Sequence, residues 1–214
     1  MKAVVLFSSG IDSPVAAYLM AKQGMEIVAV SMDNRPFTDE RQKEKMRKLV
    51  AHVEKVASAE TCKPIKIKQY FVPHGPNLQK FAECCNPHYR CVLCKRMMLR
   101  IADKIAEKEN ADFIITGDSL GQVASQTIKN LRAESAVPRR EILRPLIGLN
   151  KEEIVEIARK IGTFEISSMP DAGCKAVPEK PKTHAKQDEV KAEEARVDIE
   201  ALACAALRDS TIDK

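Results

Sequence analysis

Apolar positions alternate with polar ones in two distinct rhythms along this chain. Near-continuous apolar runs predict strands over residues 2–7 and 26–32, of the kind buried on both faces of a sheet. A third run, 65–72, alternates like a strand, and 112–116 predicts a fourth, buried one. Between them the period lengthens. Helices are predicted over 14–23 (stopped by Gly24), 39–57, 77–85, 95–108 and 151–161 (stopped by Gly162). In the 95–108 segment Met98, Ile101, Ala102 and Ile105 share one face. Strand and helix thus alternate, which predicts an α/β fold with a doubly wound parallel sheet. From Pro170 the composition shifts to Pro and Lys, predicting an extended arm before a final charged helix over 188–208. The division expected is a domain over 1–175 and an arm with a C-terminal helix over 176–214.

The first βα junction carries candidate chemistry. Phe7-Ser8-Ser9-Gly10-Ile11-Asp12-Ser13-Pro14 joins a strand to a helix through small hydroxyl residues and a glycine. Such a turn suits an anion, because unpaired N–H groups and the positive end of the helix dipole meet there. No GK[ST] follows and no G-x-G-x-x-G is present, so neither the ATPase P-loop nor the dinucleotide fingerprint fits. Asp12 also suits a helix N-cap.

Composition narrows the class. No apolar run reaches membrane-spanning length and the chain opens directly on a strand, so no membrane segment or signal peptide is expected, and the expected location is cytoplasmic. Seven cysteines then read as thiols or metal ligands. Cys91 and Cys94 are spaced to chelate one ion at a helix start, where thiolate is favoured. Soft thiolates suit iron–sulfur and zinc equally. Adjacent Cys84 and Cys85 make a poor shared ligand pair, and Cys62 and Cys204 look incidental. His74 and His88 flank the region as loop histidines. Net charge is only +5, but basic clusters recur at 41–48, 63–68 and 139–144, suited to a phosphate backbone or to solvated helix faces. With no Trp and 4% aromatics, base stacking is poorly supplied.

The loop Ser8-Ser9-Gly10-Ile11-Asp12-Ser13 resembles the pyrophosphate loop of N-type ATP pyrophosphatases. Three further blocks extend the likeness: Gly117-Asp118-Ser119-Leu120-Gly121-Gln122-Val123-Ala124-Ser125-Gln126-Thr127, Arg144-Pro145-Leu146-Ile147-Gly148-Leu149-Asn150-Lys151-Glu152-Glu153-Ile154, and Ile157-Ala158-Arg159-Lys160-Ile161-Gly162-Thr163-Phe164-Glu165-Ile166-Ser167. Together they resemble the catalytic half of the tRNA 4-thiouridine synthases, the ThiI family, over about residues 1–185.

The resemblance implies an ATP-dependent sulfurtransferase that adenylates a tRNA uridine, at position 8, and replaces its O4 with sulfur. It implies ATP held by Leu6, Phe7, Ser8, Ser9, Gly10, Asp12, Ser13, Ser31, Met32, Lys95, Gly117 and Gln126, with Ser31 and Met32 bordering the adenine. Asp12 and Asp118 become candidates for Mg²⁺, and Asp12 and Cys174 for catalysis. In members without a rhodanese domain, Cys91, Cys94 and Cys174 match three ligands of a 4Fe–4S cluster whose fourth iron is open, with zinc as the alternative. The expected partners are tRNA, a separate THUMP-type protein, a sulfide or persulfide donor, and a second copy in a homodimer.

Two departures stand out. Ser9 replaces a glycine of the family loop, and the family's THUMP region, which grips tRNA, has no counterpart within these 214 residues, so it is expected from a separate protein. The acceptor can therefore differ from tRNA, or the chain can be a non-catalytic nucleotide- or cluster-binding subunit.

Overall fold

A computed structural model of the chain describes residues 1–122 and 126–213. Strand β1 (Lys2–Leu6) leads through the hydroxyl loop into α1 (Asp12–Lys22), then β2 (Glu26–Asp33) and the long α2 (Glu40–Thr61). Next come β3 (Lys68–Pro73), α3 (Gly75–Cys84), a short 3₁₀ turn and α4 (Arg90–Lys108). β4 (Phe113–Ile115), α5 (Ile128–Ser135), β5 (Glu141–Leu143), α6 (Lys151–Lys160) and α7 (Phe164–Ser167) follow. Helices α8 (Gln187–Glu194) and α9 (Ile199–Arg208) and strand β6 (Thr211–Asp213) end the chain.

The sheet order is β5-β4-β1-β2-β3-β6. The first five strands are parallel, and β6 adds antiparallel to β3, pairing Tyr70 with Ile212. Val4 and Val5 in β1 are fully buried, as expected of a strand covered on both faces. One core layer packs α4 with Val4, Val28 and Tyr70, and the other packs α1, α2 and α6 with Ala3, Val5 and Ile27. Helices therefore cover both faces, and the doubly wound parallel sheet expected from the sequence is present.

The chain builds β1, β2 and β3 outward in one direction, then returns to lay β4 and β5 on the other side of β1. The order reverses between β1 and β4. Open α/β sheets bind ligands beyond the carboxyl ends of strands at such a switch point.

Several elements differ from the sequence reading. α2 starts at Glu40 because Asp39 caps it, accepting from Gln42 N at 3.3 Å. The single helix expected over 188–208 is two, since Asp198 starts a new helix by accepting from Ala201 N at 2.9 Å. Residues beyond 176 contribute Ala185, Val190, Ala203 and Ala206 to the same core layer as α4.

Candidate active site

The loop after β1 is held by its own hydroxyls. Ser8 N donates to Ser13 Oγ at 2.8 Å, and the hydroxyls of Ser8 and Ser13 lie 3.0 Å apart. Helix α1 begins at Asp12, two residues earlier than the sequence suggests, with Ile11 at the cap position and no side-chain cap. Asp12 thus stands in the first turn rather than capping the helix, and its carboxylate pairs with Lys151 Nζ at 2.5 Å. Gly117, at the end of β4, crosses directly over this turn. A Cβ there would lie 2.8 Å from Ser13 N, closer than backbone tolerates, so only glycine fits.

Leu6, Ser8, Gly10, Asp12 and Ser13 line a cavity of about 200 Å³ with Gly117, Asp118, Lys95 and Gln126. Nine residues expected to serve one ligand therefore share one pocket at the switch point. Four others do not line it. Phe7 is core; Ser31 is fully buried and accepts from Gln69 Nε2 at 2.9 Å; Met32 is buried beside β3. Ser9 Oγ donates to Asp171 at 3.1 Å, and Lys45 Nζ meets the same carboxylate at 2.8 Å. The serine that replaces a glycine thus ties the loop to the segment leading to Cys174. Residues 123–125 of the Gly117–Thr127 block lie outside the described residues.

Charge in this pocket is organised around Lys95. Its ammonium sits 2.5 Å from Asp118 and 3.8 Å from Glu134. Asp118 also accepts from Thr116 Oγ1 at 2.8 Å and from Arg144 Nε at 3.3 Å. Burial alone would raise the Asp118 carboxyl, but Lys95 and then Arg144 hold it below the usual carboxylate range. Two cations already compensate Asp118. Glu134 is less well served. It is 1% exposed, its Oε1 has no hydrogen-bond partner, and burial pushes its carboxyl up to about 7. Gln126 Oε1 is likewise buried without a partner.

The cysteines form a second pocket against the first. Cys91, Cys94 and Cys174 line an apolar cavity of about 220 Å³ whose wall includes Lys95 and Met98, and both of these also line the loop pocket. Cys91, Cys94, Lys95 and Met98 fall at i, i+3, i+4 and i+7, one stripe of α4. Burial raises both helix thiols, Cys94 strongly, and the neighbouring Cys174 adds to it. Beneath them, fully buried His74 places Nε2 3.2 Å from Cys94 Sγ, with Asn77 Nδ2 3.2 Å from its Nδ1. Burial lowers His74 to about 4, so the ring is neutral at pH 7. Among the described residues, no three His, Cys, Asp or Glu side chains stand at metal-binding geometry. The donor chemistry nevertheless fits a soft centre, because three thiols share one apolar pocket and metal binding releases their protons. Cys85 Sγ donates to Glu193 O, Cys84 packs against the core edge, and Cys62 and Cys204 are exposed away from the pocket.

A profile of the "Thiamine biosynthesis protein (ThiI)" family matches residues 1–199. The chain belongs to the ThiI family. A probable tRNA sulfurtransferase from Methanosarcina mazei is 45% identical over 213 residues, covering all of this chain and 51% of that protein. One from Methanobrevibacter smithii is 48% identical over 189 residues, covering 88% and 48% respectively. The chain therefore spans about half the length of the curated ThiI relatives it matches. Among solved structures, a 4-thiouridine synthetase–RNA complex with bound ATP superposes with a TM-score of 0.92 at 35% identity, over 99% of this chain and 54% of that one. The NMN synthetase of Francisella tularensis superposes with a TM-score of 0.59 at 17% identity, covering 94% and 74%, and shares the fold.

Glu134 was invisible in the sequence of this ThiI chain. It lies in a short helix with no motif of its own, and only tertiary packing brings it to Lys95. His74 reads as an ordinary loop histidine until β3 and α3 place it under Cys94. Of the basic clusters, Arg140 is spent on Asp103 at 2.9 Å and Arg144 on Asp118, so neither is a free phosphate contact. Among the described residues, no helix is long and apolar enough to cross a membrane.

Proposed function

We propose that this chain is the catalytic part of an ATP-dependent tRNA sulfurtransferase that converts a uridine, U8, to 4-thiouridine. The observation that supports it most is the shared wall. An anion-suited loop pocket and a three-thiol pocket meet across Lys95 and Met98, so activation and sulfur delivery have neighbouring sites on one rigid helix. A uridine O4 is a very poor leaving group, and transfer of AMP onto it, with loss of pyrophosphate, makes it a good one. Displacement of AMP by a sulfur nucleophile then leaves the thiocarbonyl.

The residues divide this work. The N–H groups and hydroxyls around Ser8, Gly10 and Ser13 bind phosphate at the start of α1. Lys95 supplies a held positive charge where negative charge develops. Asp12, once Lys151 turns away, would hold Mg²⁺ against the phosphates, and the ion supplies charge neutralisation there. Cys91, Cys94 and Cys174 would hold an iron–sulfur cluster, which supplies a soft site able to carry sulfide. Their pocket is lined almost wholly by apolar atoms, which offer a competing water little to bond. A THUMP-bearing segment or protein would present the tRNA.

Anaerobically prepared protein, incubated with ATP, Mg²⁺, sulfide and bulk tRNA, should release pyrophosphate and form 4-thiouridine. It should carry iron and acid-labile sulfide, lost on changing Cys91, Cys94 or Cys174 to Ala but not Cys62 or Cys204. Stoichiometric zinc without sulfide would contradict the cluster, and absence of pyrophosphate with any RNA would contradict the activity.

A further inference from the structure

Glu134 is the buried group that this account leaves unused. It sits on α5, 1% exposed, lining the same pocket as Ser8, Gly10 and Lys95. Its Oε2 lies 3.8 Å from Lys95 Nζ, while its Oε1 has no partner among the described residues. A buried acceptor without a donor costs about 1–3 kcal/mol and calls for an explanation. The residue lines the cavity that a substrate would fill, and this oxygen is buried in its wall without a donor.

Uracil offers a matching edge. Its N3–H is a donor and its most acidic proton, and it adjoins O4, an acceptor. On the wall of the same cavity the Glu134 carboxylate supplies an acceptor and Lys95 Nζ, 3.8 Å from its Oε2, a donor. We propose that Glu134 is the general base that takes the N3 proton of the target uridine as O4 attacks the α-phosphorus of ATP. This rests on the sulfurtransferase reading given above. In the neutral lactam, the O4 lone pairs are weakly nucleophilic. Loss of the N3 proton places negative charge on O4, where Lys95 can stabilise it.

The step balances without a further reactant. The O4–P bond forms, the bond from the α-phosphorus to the bridging oxygen breaks, and pyrophosphate leaves with that electron pair. The N3 proton resides on Glu134, and the adenylated base carries an N3=C4 double bond. In the second half hydrosulfide adds to C4, AMP leaves with the C4–O pair, and a proton returns to N3 as the thiocarbonyl forms. No redox change is needed.

The surroundings suit a base working near neutral pH. Burial raises Glu134 to about 7, Asp118 adds to the rise, and Lys95, Arg144 and Arg96 oppose it. These are the charged groups facing it from α4 and from the ends of β4 and β5; the thiols of Cys91 and Cys94 also sense its charge. Arg96, which donates to Ala133 O, fixes the backbone next to it.

The test compares wild type with Glu134→Gln, which keeps the shape and removes the proton acceptor, and with Glu134→Asp. ATP affinity is measured by calorimetry, and pyrophosphate release with ATP and tRNA is followed against pH. In Glu134→Gln, kcat should fall by roughly 10²–10⁴-fold, the range of general-base catalysis. Its ATP Kd should stay within about twofold, and the acid limb of the kcat profile, falling below about pH 7 in wild type, should vanish. Glu134→Asp should keep that limb and recover part of the rate. A Glu134→Gln enzyme with near-normal kcat and weakened ATP binding would make Glu134 a contact to the adenine amino group and overturn the proposal. So would a lowered kcat with the acid limb intact. Wild type that releases no pyrophosphate with tRNA would instead refute the underlying reading, a result distinct from either.

Discussion

Replacing Glu194 with Gln should destabilise the protein severely, although Glu194 lies far along the chain from every motif. Glu194 accepts from Nε and Nη2 of Arg96, each at 2.8 Å, and from Nη1 and Nη2 of Arg100 at 2.6 and 2.9 Å. Arg96 is 3% exposed and Glu194 7%. Two guanidinium groups thus share one buried carboxylate. Removing one partner of a buried pair costs about 3–5 kcal/mol, because the other charge stays desolvated. For a chain of this size that is a fall in Tm of about 6–20 °C, at 2–4 °C per kcal/mol. Urea denaturation should show a lower midpoint with an unchanged slope. Burial would raise the Glu194 carboxyl, but Arg96 and Arg100 hold it below its ordinary value of 4.5. A depressed folded-state pKa stabilises above the unfolded value and is lost as pH falls through the folded one. The gap between wild type and Glu194→Gln should therefore be full above pH 4.5 and close below it. The double variant Arg96→Met with Glu194→Leu should recover part of the loss, since it leaves only Arg100 without its partner, and that side chain is 20% exposed. A Glu194→Gln loss under 1 kcal/mol, or a gap independent of pH, would refute this account of the anchor.

Two further outcomes follow from the loop. Asp12→Ala should lower pyrophosphate release by roughly 2–4 kcal/mol of transition-state stabilisation while the urea midpoint holds, as for other preorganised charges; near-normal turnover would leave Asp12 only its pairing with Lys151. Gly117→Ala should weaken ATP binding by at least tenfold in calorimetry, because the added methyl meets Ser13 N at 2.8 Å and the turn must open; unchanged affinity would mean that the loop does not bind phosphate in this form.

How much of this was legible depends on what carries each feature. β1, β2 and α1 announce themselves because a strand buried on both faces must be apolar throughout, as Ala3, Val4 and Val5 are. β5 and β6 have three residues each, too few for any period, and exist because an existing sheet edge pairs them. α4 starts at Arg90, ahead of the 95–108 segment defined by its Met98, Ile101, Ala102 and Ile105 face and one residue before the helix start read at Cys91. In the site, the hydroxyl loop and the Cys91–Cys94 spacing are local and readable. Glu134 and His74 are not, because their meaning lies in an unpaired oxygen and in a contact to sulfur, both made by chain segments far apart. The resemblance sets Ser9 among the ATP-holding residues, and nothing in the sequence signals that its hydroxyl also donates to Asp171, a partner 162 positions away.

Helix α4 joins these threads. Its one stripe of Cys91, Cys94, Lys95 and Met98 faces the two pockets, while Arg96 and Arg100 are anchored by Glu194. In the proposed reaction sulfur would have to reach C4 before water does, so the three thiols and the charge beside O4 would need a fixed separation. Successive residues of one helix give that separation at almost no conformational cost, because the turn length sets it. The buried ion pair then fixes which face of α4 meets the site, and Arg96 extends the same restraint to Ala133 and hence to Glu134. That coupling explains why a group as costly to bury as Glu194 stands on the C-terminal segment. It holds the rotation of the helix on which both halves of the proposed chemistry depend.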